Sequence, residues 1–177
     1  ARWTRIAFHL SAWLPLASLA WMSWQGRLGP VPTAAVTRLL GRYALAILLL
    51  SLLPTAVRIT LRVDWPLRFR QALGLYAFFY ALLHVLAFMG LDYRCPFDLI
   101  ATVILESRRE VVGAAAFVIL SVMAVTSMPG MASRLGNNWK RIQRSVYLAA
   151  ALVVLHTIWN YKELRSWPLM AGPRVPS

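Results

Sequence analysis

The 177-residue chain has little of several things that soluble enzymes use. It holds one cysteine, three histidines and six acidic residues. Cys95 alone forms no internal disulfide, and it cannot supply the thiolates of an iron–sulfur cluster or a cysteine-rich metal site. The long apolar runs carry no charged residue near their middles, and Pro54 stands out as a break inside the second. A transporter, which needs charged or broken helices at mid-membrane, therefore has little support. No nucleotide-binding glycine loop, low-complexity tract or internal repeat is read from the chain.

What is present is apolar mass. The sequence is 59% hydrophobic with eight tryptophans, and its mean hydropathy is +0.59. A soluble core of this length cannot hide so much apolar surface, whereas a bilayer can. The runs 8–24, 43–57, 72–91, 111–128 and 145–159 approach the roughly 20 residues that cross hydrocarbon. The second and fifth are short and must borrow from their flanks. Each must be helical, because lipid offers no partner to a free backbone amide. The expectation is an all-α integral membrane bundle of about five helices, read as one domain over residues 1–177. Between the spans lie "QGRLGPVPTA", "RVDWPLR", "DYRCPFD" and "MPGMASRLGNN", rich in the Pro, Gly and Asn that end helices. The segment "FDLIATVILES" is too short to cross and suits an amphipathic surface helix or a shallow re-entry.

The +13 net charge points away from nucleic acid because the cations sit at span ends. Arg58, Arg62, Arg68 and Arg70 follow span two, opposed by Asp64; Arg134, Lys140, Arg141 and Arg144 follow span four. The positive-inside rule places these loops and the N-terminus in the cytoplasm. Arg27, Arg38 and Arg42, assigned to the first loop, run against that orientation. Arg2, Arg5 and "SLA" would suit a cleaved leader, but Trp21 and Trp24 better fit an interfacial belt.

His9, His84 and His156 all fall in or beside the apolar spans. For one buried histidine the plain role is a neutral imidazole bonded to a neighbouring helix; two at matched depth weigh differently. His84 lies 14 residues after Arg70 and His156 lies 12 after Arg144, so both stand roughly 20 Å above the cytoplasmic anchors. Imidazoles from two helices are what a six-coordinate b-type haem needs. Zinc would need more ligands than that depth supplies. Gly74, Ala77 and Ala81 share a face with His84 and leave room for a flat macrocycle, and Tyr76, Phe78, Phe79, Tyr80 and Phe88 are candidate walls. Ordinary helix packing is the plainer reading of such stripes taken alone.

At this point the chain resembles a family, the haem-binding membrane subunit MsrQ (also called YedZ) within the ferric reductase-like transmembrane group. "FHLSAWLP" is similar to its first-helix HLxxxLP motif, and "GRYALAILLLSLLPTAVR" to its second helix. "RQALGLYAFFYALLHV" is similar to the third, and "RLGNNWKRIQRSVYLAAALVVLHTIW" to its LGxxW loop and fifth helix. The resemblance implies an electron carrier of the bacterial inner membrane. It would take electrons from a quinone-pool or cytoplasmic donor and pass them to a periplasmic molybdenum-containing methionine sulfoxide reductase. Its third-helix and later fifth-helix histidines fall on His84 and His156, and its first-helix histidine on His9.

The sequence departs from that pattern in two ways. Gln143 stands where the family usually has a histidine early in the fifth helix, and Gln71 stands thirteen residues before His84, as Gln143 does before His156. No sixth apolar span follows the fifth. One haem is therefore expected, with His84 and His156 as metal ligands and Gly74, Ala77, Ala81 and Arg94 as cofactor neighbours; Arg108, Arg109 and Lys162 are further propionate candidates. A cytoplasmic FMN would lie roughly 20 Å from these histidines, so quinol is the favoured donor. Membrane lipid and a periplasmic redox partner are the expected partners, and nucleic acid is not. The competing expectation is an accessory or scaffold subunit of a larger membrane complex that has lost redox activity.

Overall fold

The computed structural model describes residues 2–92 and 97–170. Among these, every regular element is a helix: α1 Arg2–Trp24, α2 Pro32–Leu61, α3 Leu67–Ala87, α4 Phe97–Glu106, α5 Arg108–Thr126, α6 Met131–Leu135, α7 Asn137–Arg144 and α8 Val146–Met170. A π-helical turn, Phe88–Asp92, extends α3. Five helical stretches of the described residues are long and apolar enough to cross a membrane: Ile6–Trp24, Pro32–Leu61, Leu67–Asp92, Arg108–Thr126 and Asn137–Lys162. The protein is an all-α membrane helical bundle. Its contacts group it into two compact units, Ala1–Ile100 and Ala101–Ser177.

The second span shows how its ends are set. Pro32 occupies the first turn of α2, where its missing amide has no helical partner to lose. The helix then runs for 30 residues, so Arg38 and Arg42 belong to α2 and not to the loop before it. It stops at Arg62, which takes a left-handed conformation (φ 55°) and donates its amide to the Arg58 carbonyl. The segment expected to lie outside the spans, 97–106, is helical as α4.

Within the first unit α2 packs along α3. Leu48 and Ala77 are almost wholly buried, with Ala44 beside them in the core; small side chains let the two backbones approach without a hydrophobic drive from water. Helix α1 is held through aromatic and polar groups. Tyr80 donates its hydroxyl to the Ala12 carbonyl at 2.8 Å, and Trp13 meets Phe79 edge-on. In the second unit α5 packs along α8 through Ala116, Leu120 and Ala149. The end of α5 is capped by Trp139, whose Nε1 donates to the Thr126 carbonyl at 3.0 Å. That bond gives the tryptophan of "LGNNW" a physical role.

Candidate functional site

Each span histidine on α3 and α8 is fixed in the same way. His84 Nδ1 lies 2.8 Å from the Thr37 carbonyl on α2, and His156 Nδ1 lies 2.8 Å from the Arg109 carbonyl on α5. A carbonyl oxygen only accepts, so Nδ1 carries the hydrogen in both rings and Nε2 keeps the lone pair. That is the neutral tautomer in which imidazole binds a metal, with its orientation set by the second bond.

One helical turn beyond each carbonyl stands a glycine. A Cβ on Gly41 would sit 3.1 Å from the His84 ring, and one on Gly113 would sit 2.8 Å from that of His156. The His156 ring therefore occupies room that a Cβ would take, and the His84 ring lies close to that limit. Asn160 adds a further contact in the second unit. Its Nδ2 donates to the His156 carbonyl at 3.0 Å and lies 3.2 Å from Nε2 and 3.5 Å from Nδ1. Because Nδ1 carries its hydrogen, Nε2 is the ring's one acceptor and the Asn160 amide donates to it at 3.2 Å; Asn160 must turn aside before that lone pair can meet a metal.

The matching construction exposes a repeat that the sequence reading missed. The bond to the carbonyl spans 47 residues in both cases. An offset of 72 residues carries Gly41 to Gly113, Ala44 to Ala116, Leu48 to Leu120, Gln71 to Gln143, Ala77 to Ala149 and His84 to His156 without a gap. The buried members correspond as well: Ala77 and Ala149 are each 0% exposed, and Leu48 and Leu120 are both core residues. The α2–α3 pair and the α5–α8 pair are two copies of one hairpin. The identities are small or common apolar residues, so only the two polar pairs at equal spacing could have signalled it.

The remaining expected residues fall as follows. Ala77 packs between α2 and α3, while Gly74 has open space around it, and Ala81 is half-buried. Room beside His84 comes from Gly41 on the facing helix, which sequence reasoning did not single out. Tyr76, Phe79 and Tyr80 engage α1. Arg109 pairs with Glu110 at 2.8 Å; Arg94 and Cys95 lie outside the described residues. Among the described residues no three His, Cys, Asp or Glu side chains cluster as a metal site.

The family model described as ferric reductase like transmembrane component matches residues 40–154, most of both hairpins, and ends two residues before His156. Relatives match over nearly the whole chain. The protein-methionine-sulfoxide reductase heme-binding subunit MsrQ of Xanthomonas axonopodis pv. citri is 38% identical over 93% of this chain and 78% of its own length. That of Rhodospirillum rubrum is 41% identical over 94% and 80%. The chain belongs to the MsrQ family.

Within this MsrQ-family chain the glutamine layer is structurally employed. Gln143 donates from Nε2 toward Thr126 Oγ1 and Ser127 Oγ, both at 3.2 Å, and toward the Met123 carbonyl at 3.4 Å. The amide ties the start of the last span to the end of α5. No solved structure matches the chain.

Proposed function

We propose that this chain is the electron-transfer subunit of a methionine sulfoxide reductase system, a single membrane domain that carries one b-type haem for which His84 and His156 are the candidate ligands. The observation that carries the reading is the doubled construction. Each imidazole is held as the Nδ1–H tautomer by a backbone carbonyl, with a glycine clearing its path. His84 and His156 would each offer haem iron a nitrogen of the same kind. Bound there, the haem would supply one-electron transfer. The protein contributes ligand orientation.

One haem follows from the glutamines. An amide is a poor iron ligand beside imidazole, and Gln143 already serves the end of α5. Quinol in the membrane is the donor and an outer-face reductase the acceptor. The chain sits in the bacterial inner membrane with its N-terminus in the cytoplasm. FMN has no role in this scheme, and propionate pairing falls to the arginines near the outer ends.

The test is a reduced-minus-oxidised visible spectrum with a pyridine haemochrome count on wild type, His84→Ala and His156→Ala. About one low-spin b-haem per chain, lost in either variant, is expected from two ligands to one iron. Absence of haem from protein purified with its membrane partners would favour the accessory-subunit reading, and two haems would refute the role given to the glutamines.

A further inference from the structure

We infer that the first unit holds the head-group site for the quinol, at the hydrogen-bonded pair His9–Tyr76 beside an apolar cavity. This rests on the quinol reading above and adds where the molecule binds. The cavity measures about 540 Å³ and lies among α1, α2 and α3, with Phe8, Pro15, Leu53, Pro54, Trp65 and Phe69 in its walls. Tyr76 lines it, and Tyr76 Oη meets His9 Nδ1 at 2.9 Å. In so apolar a setting this pair is what distinguishes a quinone site from a groove for a lipid tail.

The pair has a useful property whichever way its proton lies. If the phenol donates to Nδ1, then Nε2–H remains a donor and the phenol oxygen an acceptor. If Nδ1–H donates, the phenol hydrogen remains the donor and Nε2 the acceptor. In both states the dyad offers one donor and one acceptor. A quinone carbonyl needs the donor and a quinol hydroxyl needs the acceptor, so one site holds both oxidation states. An acyl chain would use neither.

Depth supports the same assignment. Tyr76 precedes His84 by eight residues on one continuous helix, about 12 Å along the axis. Arg70 precedes Tyr76 on the same helix by about 9 Å on that measure, so the dyad stands between the cytoplasmic anchor and His84. Tyr76, Tyr80 and His84 also recur every fourth residue, on one face of α3. Oxidation of one quinol releases one quinone, two protons and two electrons. The electrons would leave one at a time to a one-electron acceptor, which is the chemistry the haem proposed above would supply when bound. One proton passes to the acceptor atom of the His9–Tyr76 dyad, the phenol oxygen or Nε2 according to its state, and the other to water at the membrane surface.

The test uses the full chain in lipid nanodiscs and two probes. A photoreactive azidoquinone should label peptides from Arg2–Trp24 and Leu67–Ala87, and decylubiquinone should compete it away. Tyr76→Phe keeps the ring and removes the hydroxyl; it should weaken decylubiquinone binding roughly tenfold, the loss of one hydrogen bond. His9→Leu should do the same, and Ser11→Phe should block the cavity. Binding is read whether or not the protein carries haem, so failure of the haem reading leaves this arm intact. In haem-loaded protein, the same variants should slow reduction by decylubiquinol while dithionite reduces the full haem complement. Labelling elsewhere, or wild-type binding in both Tyr76→Phe and His9→Leu, would overturn the site. Phospholipid that co-purifies and is not displaced by decylubiquinone would overturn it in favour of a lipid groove.

Discussion

At the scale of single residues, the two glycines and two histidines form the most informative set in the chain. A Cβ on Gly113 would come within 2.8 Å of the His156 ring and within 2.9 Å of its Nδ1, whereas on Gly41 the nearest approach to His84 is 3.1 Å. Alanine also favours a helix over glycine by about 1 kcal/mol. The two effects oppose each other at both sites, and steric overlap dominates at Gly113 because a 2.8 Å approach forces a shift that the 3.1 Å approach at Gly41 does not. Gly113→Ala is therefore expected to keep its thermal midpoint near wild type, yet lose most haem absorbance as the ring is displaced. Gly41→Ala, which asks its neighbour to give by a few tenths of an ångström, should retain more. Unfolding followed by circular dichroism and haem content per chain check both outcomes; equal haem loss in the two would contradict the ranking. The histidines were legible in the sequence because a titratable ring in an apolar run is rare. The glycines were not, because each serves a partner 43 positions away, and spacing along one helix says nothing about that.

At the scale of elements, hydropathy located all five spans but misjudged their ends. The second was read as 43–57 and is Pro32–Leu61. A helix outlasts its apolar stretch when exposed side chains, here Arg38 and Arg42, tolerate the headgroup region or water. The last span shows the reverse logic. Its entry depends on polar groups: Trp139 on the Thr126 carbonyl, Gln143 on two hydroxyls, and Gly136 between α6 and α7 at φ 51°, ψ −126°. That conformation is costly for any side-chain-bearing residue. Gly136→Ala should destabilise the protein by about 1–3 kcal/mol, and Gln143→Ala by about 1 kcal/mol, typical of polar pairs between membrane helices. Both are read as shifts in thermal unfolding in detergent, with one haem per chain retained in Gln143→Ala. Loss of haem in that variant would mean that Gln143 does more than join α5 to the last span.

For the molecule as a whole, the exposed surface is itself an argument. Trp24 is 88% exposed, Trp21 63%, Val118 60% and Leu148 55%; in water such a surface would drive aggregation, and in a bilayer it meets acyl chains. What remains to be set is the direction of insertion. Arg58, Arg62, Arg68 and Arg70 flank the α2–α3 connection, and Arg134, Lys140, Arg141 and Arg144 flank the α5–α8 connection. These are the same connection in the two copies of the hairpin, so the repeat doubles one topogenic signal. The opposing set is weaker: with α2 starting at Pro32, Arg27 is the cation left in the segment before it. Transferring each Lys or Arg across the bilayer costs several kcal/mol, so both hairpin connections should remain cytoplasmic. Alkaline phosphatase fused after Asp64 or Asn138 should be inactive, and fused after Gly29 or Ser107 it should be active. The opposite pattern would put His84 and His156 nearer the cytoplasmic leaflet, and the haem proposed there would then face a cytoplasmic acceptor in place of an outer one.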